Sequence, residues 1–283
     1  MSKYLDSEIW VAGKLYDTRE VLKINENYKL EVIEIGGKKI GIIDDFYSNP
    51  DMVREIALNG NGTRMDNLGY PGYRVSISIG WQHHDKEYIE KRSNLMKEVW
   101  PGFNPTYVNW GNITQLCFNL QKEYRTWPNP DKDFRYGNPE LQPHSDYDYI
   151  NAIVYINKDD EWKGKNGTGI YRHKPTGLVS YPLTNPNLIK KLQSKHDKHI
   201  KDILWNNKYY EPNEEWEGEW VSESNDVWEL EYLIEMKYNR LVFYSGELFH
   251  AAYMNKTDFI DIPRIVQVNF CKPEENQINR RIV

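Results

Sequence analysis

The stretch NRLVFYSGELFH, residues 239–250, decides how the fold is interpreted. Its apolar run from Leu241 to Ser245 predicts a short strand, Gly246 predicts a turn, and His250 stands at the end. Further short β-rich runs occur at 114–120, 149–156, 167–173 and 265–270. Gly and Pro break these runs, and helical patterns are concentrated near the start of the chain. The sequence therefore predicts a mainly β fold with flanking helices (α+β), of the sandwich or barrel kind.

The first part of the chain, residues 1–110, is expected to supply the elements that flank this core. Two apolar runs joined by Gly36-Gly37 predict a β-hairpin. Asn49-Pro50-Asp51 combines a capping residue, a proline and an acid, which is typical of a helix start, and Gly60 ends the helix. A second helix is predicted over about 85–100.

We expect one domain, 1–283, whose β core spans 111–272 and carries an inserted segment at about 184–235. The insertion has six Lys between 190 and 208, then ten acids and no Lys or Arg over 211–235. Four of the ten Trp residues lie between 205 and 228. A helical, then acidic and Trp-rich segment of this kind is either a solvated insertion whose halves pair by charge or a lid over a pocket.

The composition excludes several classes of protein. An aromatic share of 14%, with 10 Trp and 21 Tyr, rules out a wholly disordered chain. The net charge of −6 gives no overall basic footprint for nucleic acid, although a local patch remains open. No apolar run approaches the roughly 20 residues of a membrane span, and the first residues lack a signal-peptide pattern. Two cysteines, Cys117 and Cys271, do not make a disulfide framework, so we expect a cytoplasmic protein.

Three residues have the pattern of a metal site. His144-Ser145-Asp146 at the start of a strand puts an imidazole and a carboxylate on the same face, because side chains alternate with period two. His250, on a later strand, can complete a set of three ligands. Two His and one carboxylate with open positions suit non-haem Fe(II). A lone His-x-Asp is more often a turn or surface pair, so the prediction depends on its context.

Arg264 supplies part of that context. It follows Pro263 and opens the apolar strand 265–270, fourteen residues after His250. A guanidinium in such a place needs an anionic partner, because burying it unpaired is costly. Its planar fork suits a carboxylate. A structural salt bridge with an acid of the barrel is the alternative.

With these motifs, the sequence resembles the Fe(II)/2-oxoglutarate-dependent dioxygenase superfamily, specifically its prolyl-hydroxylase-like branch. The matching segments, in chain order, are Ile42–Tyr47 with the helix after it, His144-Ser145-Asp146, Ile153–Lys158, Gly167–Arg172, Asn239–His250 and Arg264. They cover roughly 40–60 and 112–272 without the insertion. The resemblance implies a double-stranded β-helix, a variant of the jelly roll.

The resemblance also implies a cofactor set. His144, Asp146 and His250 would bind Fe(II), and the cosubstrate 2-oxoglutarate would chelate the iron and pair its C5 carboxylate with Arg264. Reaction with O2 would release succinate and CO2. Halogenating relatives replace the acid with a small residue, so the retained Asp146 favours hydroxylation.

The resemblance also suggests further contacts to the cosubstrate. Many relatives have Ser or Thr two residues after the arginine, whereas this chain has Val266. The prolyl-hydroxylase branch uses a strand tyrosine instead, and Tyr155 stands at the matching position; a packed aromatic is the alternative. Gln115 and Asn119 share one face of a predicted strand and could touch 2-oxoglutarate or substrate if that face points into the barrel.

The remaining histidines are weaker candidates. His83-His84 is interpreted as part of a loop or helix start, because adjacent residues of a strand point apart. His196 and His199 could share a metal at i, i+3 on a Lys-rich helix, but no acid or Cys completes the set, so a solvated face is favoured. His173 could line a substrate mouth or simply form a hydrogen bond at a strand end.

The sequence therefore predicts a 2-oxoglutarate-dependent oxygenase that hydroxylates a small molecule, an amino acid or a peptide side chain. Two alternatives stay open. One is a jelly-roll protein that binds metal without turnover. The other is an oxygenase acting on a flipped nucleobase, against which the acidic balance argues.

Overall fold

The computed structural model describes residues 8–64, 73–77, 86–103, 105–106, 116–121, 143–146, 150–183, 185–204, 223–254, 258–259 and 261–273. The strands in these ranges are β1 (Glu8–Val11), β2 (Lys14–Asp17), β3 (Leu30–Ile35), β4 (Lys38–Ile43), β5 (Gly62–Arg64), β6 (Tyr73–Ile77), β7 (Pro105–Thr106), β8 (Leu116–Gln121), β9 (Ile150–Tyr155), β10 (Gly167–His173), β11 (Trp228–Glu235), β12 (Leu241–Ser245), β13 (His250–Tyr253) and β14 (Arg264–Pro273). The helices are α1 (Thr18–Val21), α2 (Pro50–Asn59), α3 (Lys86–Val99), α4 (Pro186–His196) and α5 (Ile200–Leu204).

A large antiparallel sheet forms the centre of the molecule. Its strands lie in the order β3-β4-β12-β9-β14-β8-β6-β5, and β7 pairs with β14. A smaller antiparallel sheet has the order β11-β10-β13, and β1 and β2 form a separate hairpin. The prediction of a mainly β protein with flanking helices is confirmed.

The two faces of the large sheet serve different cores, because side chains alternate along each strand. On β9, Ile150, Ala152 and Val154 pack in the cluster that includes the apolar sides of α2 and α3. Tyr155 belongs instead to the cluster shared with the small sheet, and Ile153 packs against it. The inward face of β9 therefore points into the space between the sheets.

Several local predictions are confirmed. The hairpin expected at Gly36-Gly37 is β3–β4, and both glycines have positive φ, 57° and 76°. A glycine adopts this conformation without the penalty that a Cβ would bring. The helix expected from Pro50 is α2, and the one expected over about 85–100 is α3.

The segment predicted as an insertion at 184–235 differs from expectation at its end. Its first part contains α4 and α5, whose Leu192, Ile200 and Leu204 pack with Trp228 and Phe249 on the small sheet. Its last eight residues, 228–235, are β11, which pairs with β10 along its length. The strand was not recognised from the sequence because its three acids, Glu229, Glu231 and Glu235, are all exposed and resemble the acidic segment before them.

Two further findings concern the cysteines and the search for membrane-spanning helices. Cys271 is a buried free thiol, whereas the side chain of Cys117 lies outside what the structure describes. Among the described helices, none combines the length and the apolar character needed to cross a membrane.

Candidate metal centre

His144, Asp146 and His250 come together between the two sheets. One potential ligand atom from each lies within 4.8 Å of the others, so the group could hold a metal ion. His144 and His250 are also paired through their backbones. The N–H of His144 donates to the carbonyl of His250 at 3.0 Å, and the reverse bond measures 2.9 Å. Backbone pairing therefore fixes the spacing of the two imidazoles.

The turn before β13 holds the carboxylate in register with the histidines. The backbone N–H of Asp146 donates to the carbonyl of Gly246 at 2.8 Å, and the Ser145 hydroxyl donates to the same oxygen at 3.0 Å. As a result, Asp146 Oδ2 lies 3.1 Å from His250 Nε2, and its Oδ1 lies 4.0 Å from His144 Nε2.

The tautomer of His250 follows from its other ring nitrogen. Nδ1 lies 2.8 Å from the carbonyl oxygen of Leu248, which can only accept, so Nδ1 carries the proton. Nε2 is then the ring nitrogen that faces Asp146 and that would coordinate a metal. A hydrogen bond of this kind is the usual way in which a protein orients a metal-binding imidazole.

The electrostatics of the site keep Asp146 ionised. Burial alone would raise the pKa of its carboxyl group. The hydrogen bond and charge of His250, the charge of His144 and a hydrogen bond from Asn151 outweigh burial and lower the pKa well below its usual range. The site therefore offers one anionic oxygen and two imidazoles as ligands.

A cavity of about 100 Å³ connects this group to Arg264. Apolar residues make much of its wall, including Ile153, Val266, Val268 and Phe270. Room for more than one water-sized group, next to buried charge, is typical of a ligand site.

Arg264 lies at the start of β14 and is 2% exposed. Its Nη2 donates to the carbonyl of Gly167 at 2.9 Å, and its guanidinium carbon lies 5.6 Å from the centre of the Tyr155 ring. It lines the same cavity as the three potential ligands. The guanidinium is thus placed to meet an anion that enters the cavity.

Tyr155 is fully buried beside Arg264, and its hydroxyl lies 2.7 Å from the hydroxyl of Thr168. Burial raises the pKa of Tyr155, while the Arg264 charge and the Thr168 hydrogen bond oppose the rise. Thr168 lines the cavity, whereas Tyr155 is not among the described residues of the cavity wall. The sequence analysis singled out the strand that contains Thr168 but did not identify this hydroxyl.

Asn157 holds the backbone on both sides of Arg264. Its Oδ1 accepts from the N–H of Ile265 at 2.6 Å, and its Nδ2 donates to the carbonyl of Pro263 at 2.8 Å. Glu161 receives a second bond from the same amide nitrogen at 3.0 Å and pairs with Arg54 of α2. This network fixes the point at which Arg264 enters the cavity.

Two polar residues missed by the sequence analysis lie next to the potential ligands. Asn151 Nδ2 donates to Asp146 Oδ2 at 2.5 Å and lies 3.2 Å from His250 Nε2. The ring of Tyr244 stands edge-on to His250, with centroids 5.0 Å apart. Alternation with Ile153 and Tyr155 was the signal that could have found Asn151, since these residues share one face of β9.

The other predicted residues separate into two groups. Gln115 and His83-His84 lie outside the described residues; Asn119 lies on β8 opposite Val266, but its side chain is outside them too. His173 is fully buried at the end of β10, where its Nδ1 lies 2.8 Å from the Thr176 hydroxyl. The hydrogen bond at a strand end was one of its two predicted roles.

Comparison with known proteins gives one match. A family model described as a family of unknown function, DUF6445, matches residues 26–263. No curated protein and no solved structure match the chain. The matched range contains His144, Asp146 and His250 and ends one residue before Arg264 and β14, and the chain belongs to the DUF6445 family.

Proposed function

We propose that this protein is an Fe(II)- and 2-oxoglutarate-dependent oxygenase that hydroxylates a small molecule, an amino acid or a peptide side chain. The observation that carries the proposal is one cavity lined by His144, Asp146, His250 and Arg264. The order of the sequence motifs supports it independently. The two facing antiparallel sheets agree with the jelly-roll core that the sequence resemblance implies.

The residues present fit the proposed metal. Two neutral imidazole nitrogens and one carboxylate oxygen are the ligand types that non-haem Fe(II) takes in oxygenases. The His250 tautomer leaves Nε2 available, and the pKa of Asp146 keeps its carboxyl group ionised. Bound there, Fe(II) with 2-oxoglutarate would supply O2 activation coupled to decarboxylation of the oxoacid.

The protein's own residues bind and orient the cosubstrate in this proposal. Arg264 pairs with the distal carboxylate, since a buried guanidinium favours a planar anionic partner. The Thr168 hydroxyl, held by Tyr155, is the nearby group that can donate to the same carboxylate. Apolar walls such as Val266 and Val268 exclude water and strengthen these charged contacts.

The presence of Arg264 favours an oxygenase over a metal-binding protein without turnover. Coordination of a metal by His144, Asp146 and His250 requires no guanidinium at the far end of the cavity. A cosubstrate with two carboxylates explains it directly. Retention of Asp146 favours hydroxylation over halogenation within the same chemistry.

The visible absorption of anaerobic protein with Fe(II) and increasing 2-oxoglutarate tests the proposal. We expect an iron-to-oxoacid charge-transfer band in wild type. In Arg264→Ala the half-saturating 2-oxoglutarate concentration should rise about 10- to 100-fold, because a hydrogen-bonded charge pair is lost. Arg172→Ala is the matched control, since Arg172 of β10 forms a surface ion pair with Glu231 of β11.

Two results would contradict the proposal. If folded, iron-loaded wild type gives no band, the 2-oxoglutarate assignment fails and the metal-binding alternative takes its place. If Arg264→Ala saturates at the same concentration as Arg172→Ala, Arg264 is not the cosubstrate anchor.

A further inference from the structure

Asn151 occupies an unusual position beside the potential ligands. It projects from β9 into the cavity, is 2% exposed, and directs its amide nitrogen at two of them. The contact to Asp146 Oδ2 is short, 2.5 Å, whereas the contact to His250 Nε2 is 3.2 Å. The amide therefore holds the carboxylate more closely than the imidazole.

The orientation of this amide is dictated by its neighbours. An ionised carboxylate only accepts hydrogen bonds, so the NH2 end of Asn151 must face Asp146. The same amide nitrogen lies 3.2 Å from His250 Nε2. The opposite orientation would place a carbonyl oxygen against an anionic oxygen.

In this orientation the carbonyl oxygen of Asn151 has no hydrogen-bond donor among the described residues. This oxygen, Oδ1, is buried. Such unsatisfied buried acceptors are rare in folded proteins because they lower stability. An amide selected for stability alone would find a partner for both ends, so the arrangement indicates a role at the site.

We propose that Asn151 is a positioning residue of the metal centre, whose N–H groups orient the Asp146 carboxylate for metal binding. This inference rests on the proposed function only in requiring that His144, Asp146 and His250 bind a metal. A metal bound there would replace the longer contact to His250 and would leave the contact to Asp146 in place. Hydrogen bonds of this type fix ligating carboxylates, and their loss usually weakens metal binding 10- to 100-fold.

Thr and Val at position 151 give a matched pair of variants. Both are β-branched, suit a strand and have the same shape, but only Thr offers a hydroxyl donor to Asp146. Asn151→Val should raise the dissociation constant for Co²⁺ about 10- to 100-fold. Asn151→Thr should fall between Asn151→Val and wild type. Arg172→Ala, which removes an ion pair with Glu231 on the protein surface, serves as the control and should bind Co²⁺ like wild type.

The measurement is a titration of metal-free protein with Co²⁺, followed by its visible absorption bands. Thermal unfolding of each metal-free variant supplies a second readout. Because Asn151 Oδ1 is unsatisfied, we expect the loss of metal affinity in Asn151→Val to greatly exceed any loss of metal-free stability. A purely structural role would lower stability and leave the affinity of the folded protein unchanged.

Three outcomes would overturn the inference in distinguishable ways. If wild type binds no Co²⁺ at these residues, the proposed function fails together with it. If wild type binds and all variants bind equally, only the role of Asn151 fails. If the Thr and Val variants lose the same affinity, Asn151 acts through its volume and not through its N–H groups.

Discussion

Two buried histidines of this protein differ in what faces their outer ring nitrogen. His250 and His173 each have Nδ1 held at 2.8 Å, by the Leu248 carbonyl and the Thr176 hydroxyl respectively. His250 Nε2 faces Asp146 at 3.1 Å. His173 Nε2 is buried with no hydrogen-bond partner among the described residues, and its ring packs on Trp228.

Burial and a hydrogen-bonded Nδ1 are therefore not sufficient to make a histidine a metal ligand. A ligand needs further donors that converge on the same point, as Asp146 and His144 do around His250. Burial, and to a lesser extent the charge of His196, lower the pKa of His173 to about 4. His173 is thus a neutral core residue at neutral pH, and His250 is a candidate ligand.

The largest effect should come from removing each imidazole in turn. His250→Ala should raise the dissociation constant for Co²⁺ by more than about 100-fold, since even groups that only support ligands are worth 10- to 100-fold. His173→Asn should bind Co²⁺ like wild type. Calorimetric titration of both folded variants checks this, and equal losses in the two would erase the distinction between the histidines.

A smaller effect concerns the pH dependence of stability. The folded-state pKa of His173 is about 4, below the value of about 6.5 expected in the unfolded chain. The unfolded state therefore binds the proton more readily. The contribution of His173 is complete above about pH 6.5 and is lost as the pH falls toward 4, by up to about 3 kcal/mol.

Urea unfolding of wild type and His173→Asn at pH 7.0, 5.5 and 4.5 isolates this contribution, because carboxyl groups titrate in both proteins. We expect the free energies of unfolding of the two proteins to converge as the pH falls. A constant difference at all three pH values would show that His173 does not titrate as described.

The smallest effect compares two threonines with similar hydrogen bonds. Thr168 bonds Tyr155 beside Arg264, and Thr176 bonds His173. Thr168→Val should raise the half-saturating 2-oxoglutarate concentration about fivefold, which corresponds to one hydrogen bond of about 1 kcal/mol. Thr176→Val should leave that concentration unchanged. The charge-transfer titration used for Arg264 measures both, and equal responses would remove Thr168 from the cosubstrate site.

Local sequence patterns predicted the parts of the site that lie on one strand or beside one turn. The motif His144-Ser145-Asp146 and the turn before His250 could be predicted, because residue spacing alone determines on which face of a strand each side chain lies. Thr168 was missed because its place beside Arg264 depends on how β10 of the small sheet faces β14 of the large sheet. No pattern within one strand carries that information.

Strand β11 also could not be predicted from local sequence. Its exposed acids Glu229 and Glu235 resemble the acidic stretch before them, so the strand was assigned to the predicted insertion. Pairing with β10 decides its structure, and pairing is a tertiary effect that overrides local composition. The hairpin at Gly36-Gly37 was predicted because its turn is set by local φ angles.

Gly167 carries no functional group, yet its carbonyl accepts the hydrogen bond of Arg264. A Cβ at this position would meet the carbonyl oxygen of Ile234 at 2.0 Å, so even alanine would push β10 and β11 apart and move the acceptor. Position 167 is therefore expected to be intolerant of substitution although its side chain takes part in no chemistry. In a survey of all single substitutions, position 167 should be as intolerant as a metal ligand, although it contributes only its backbone.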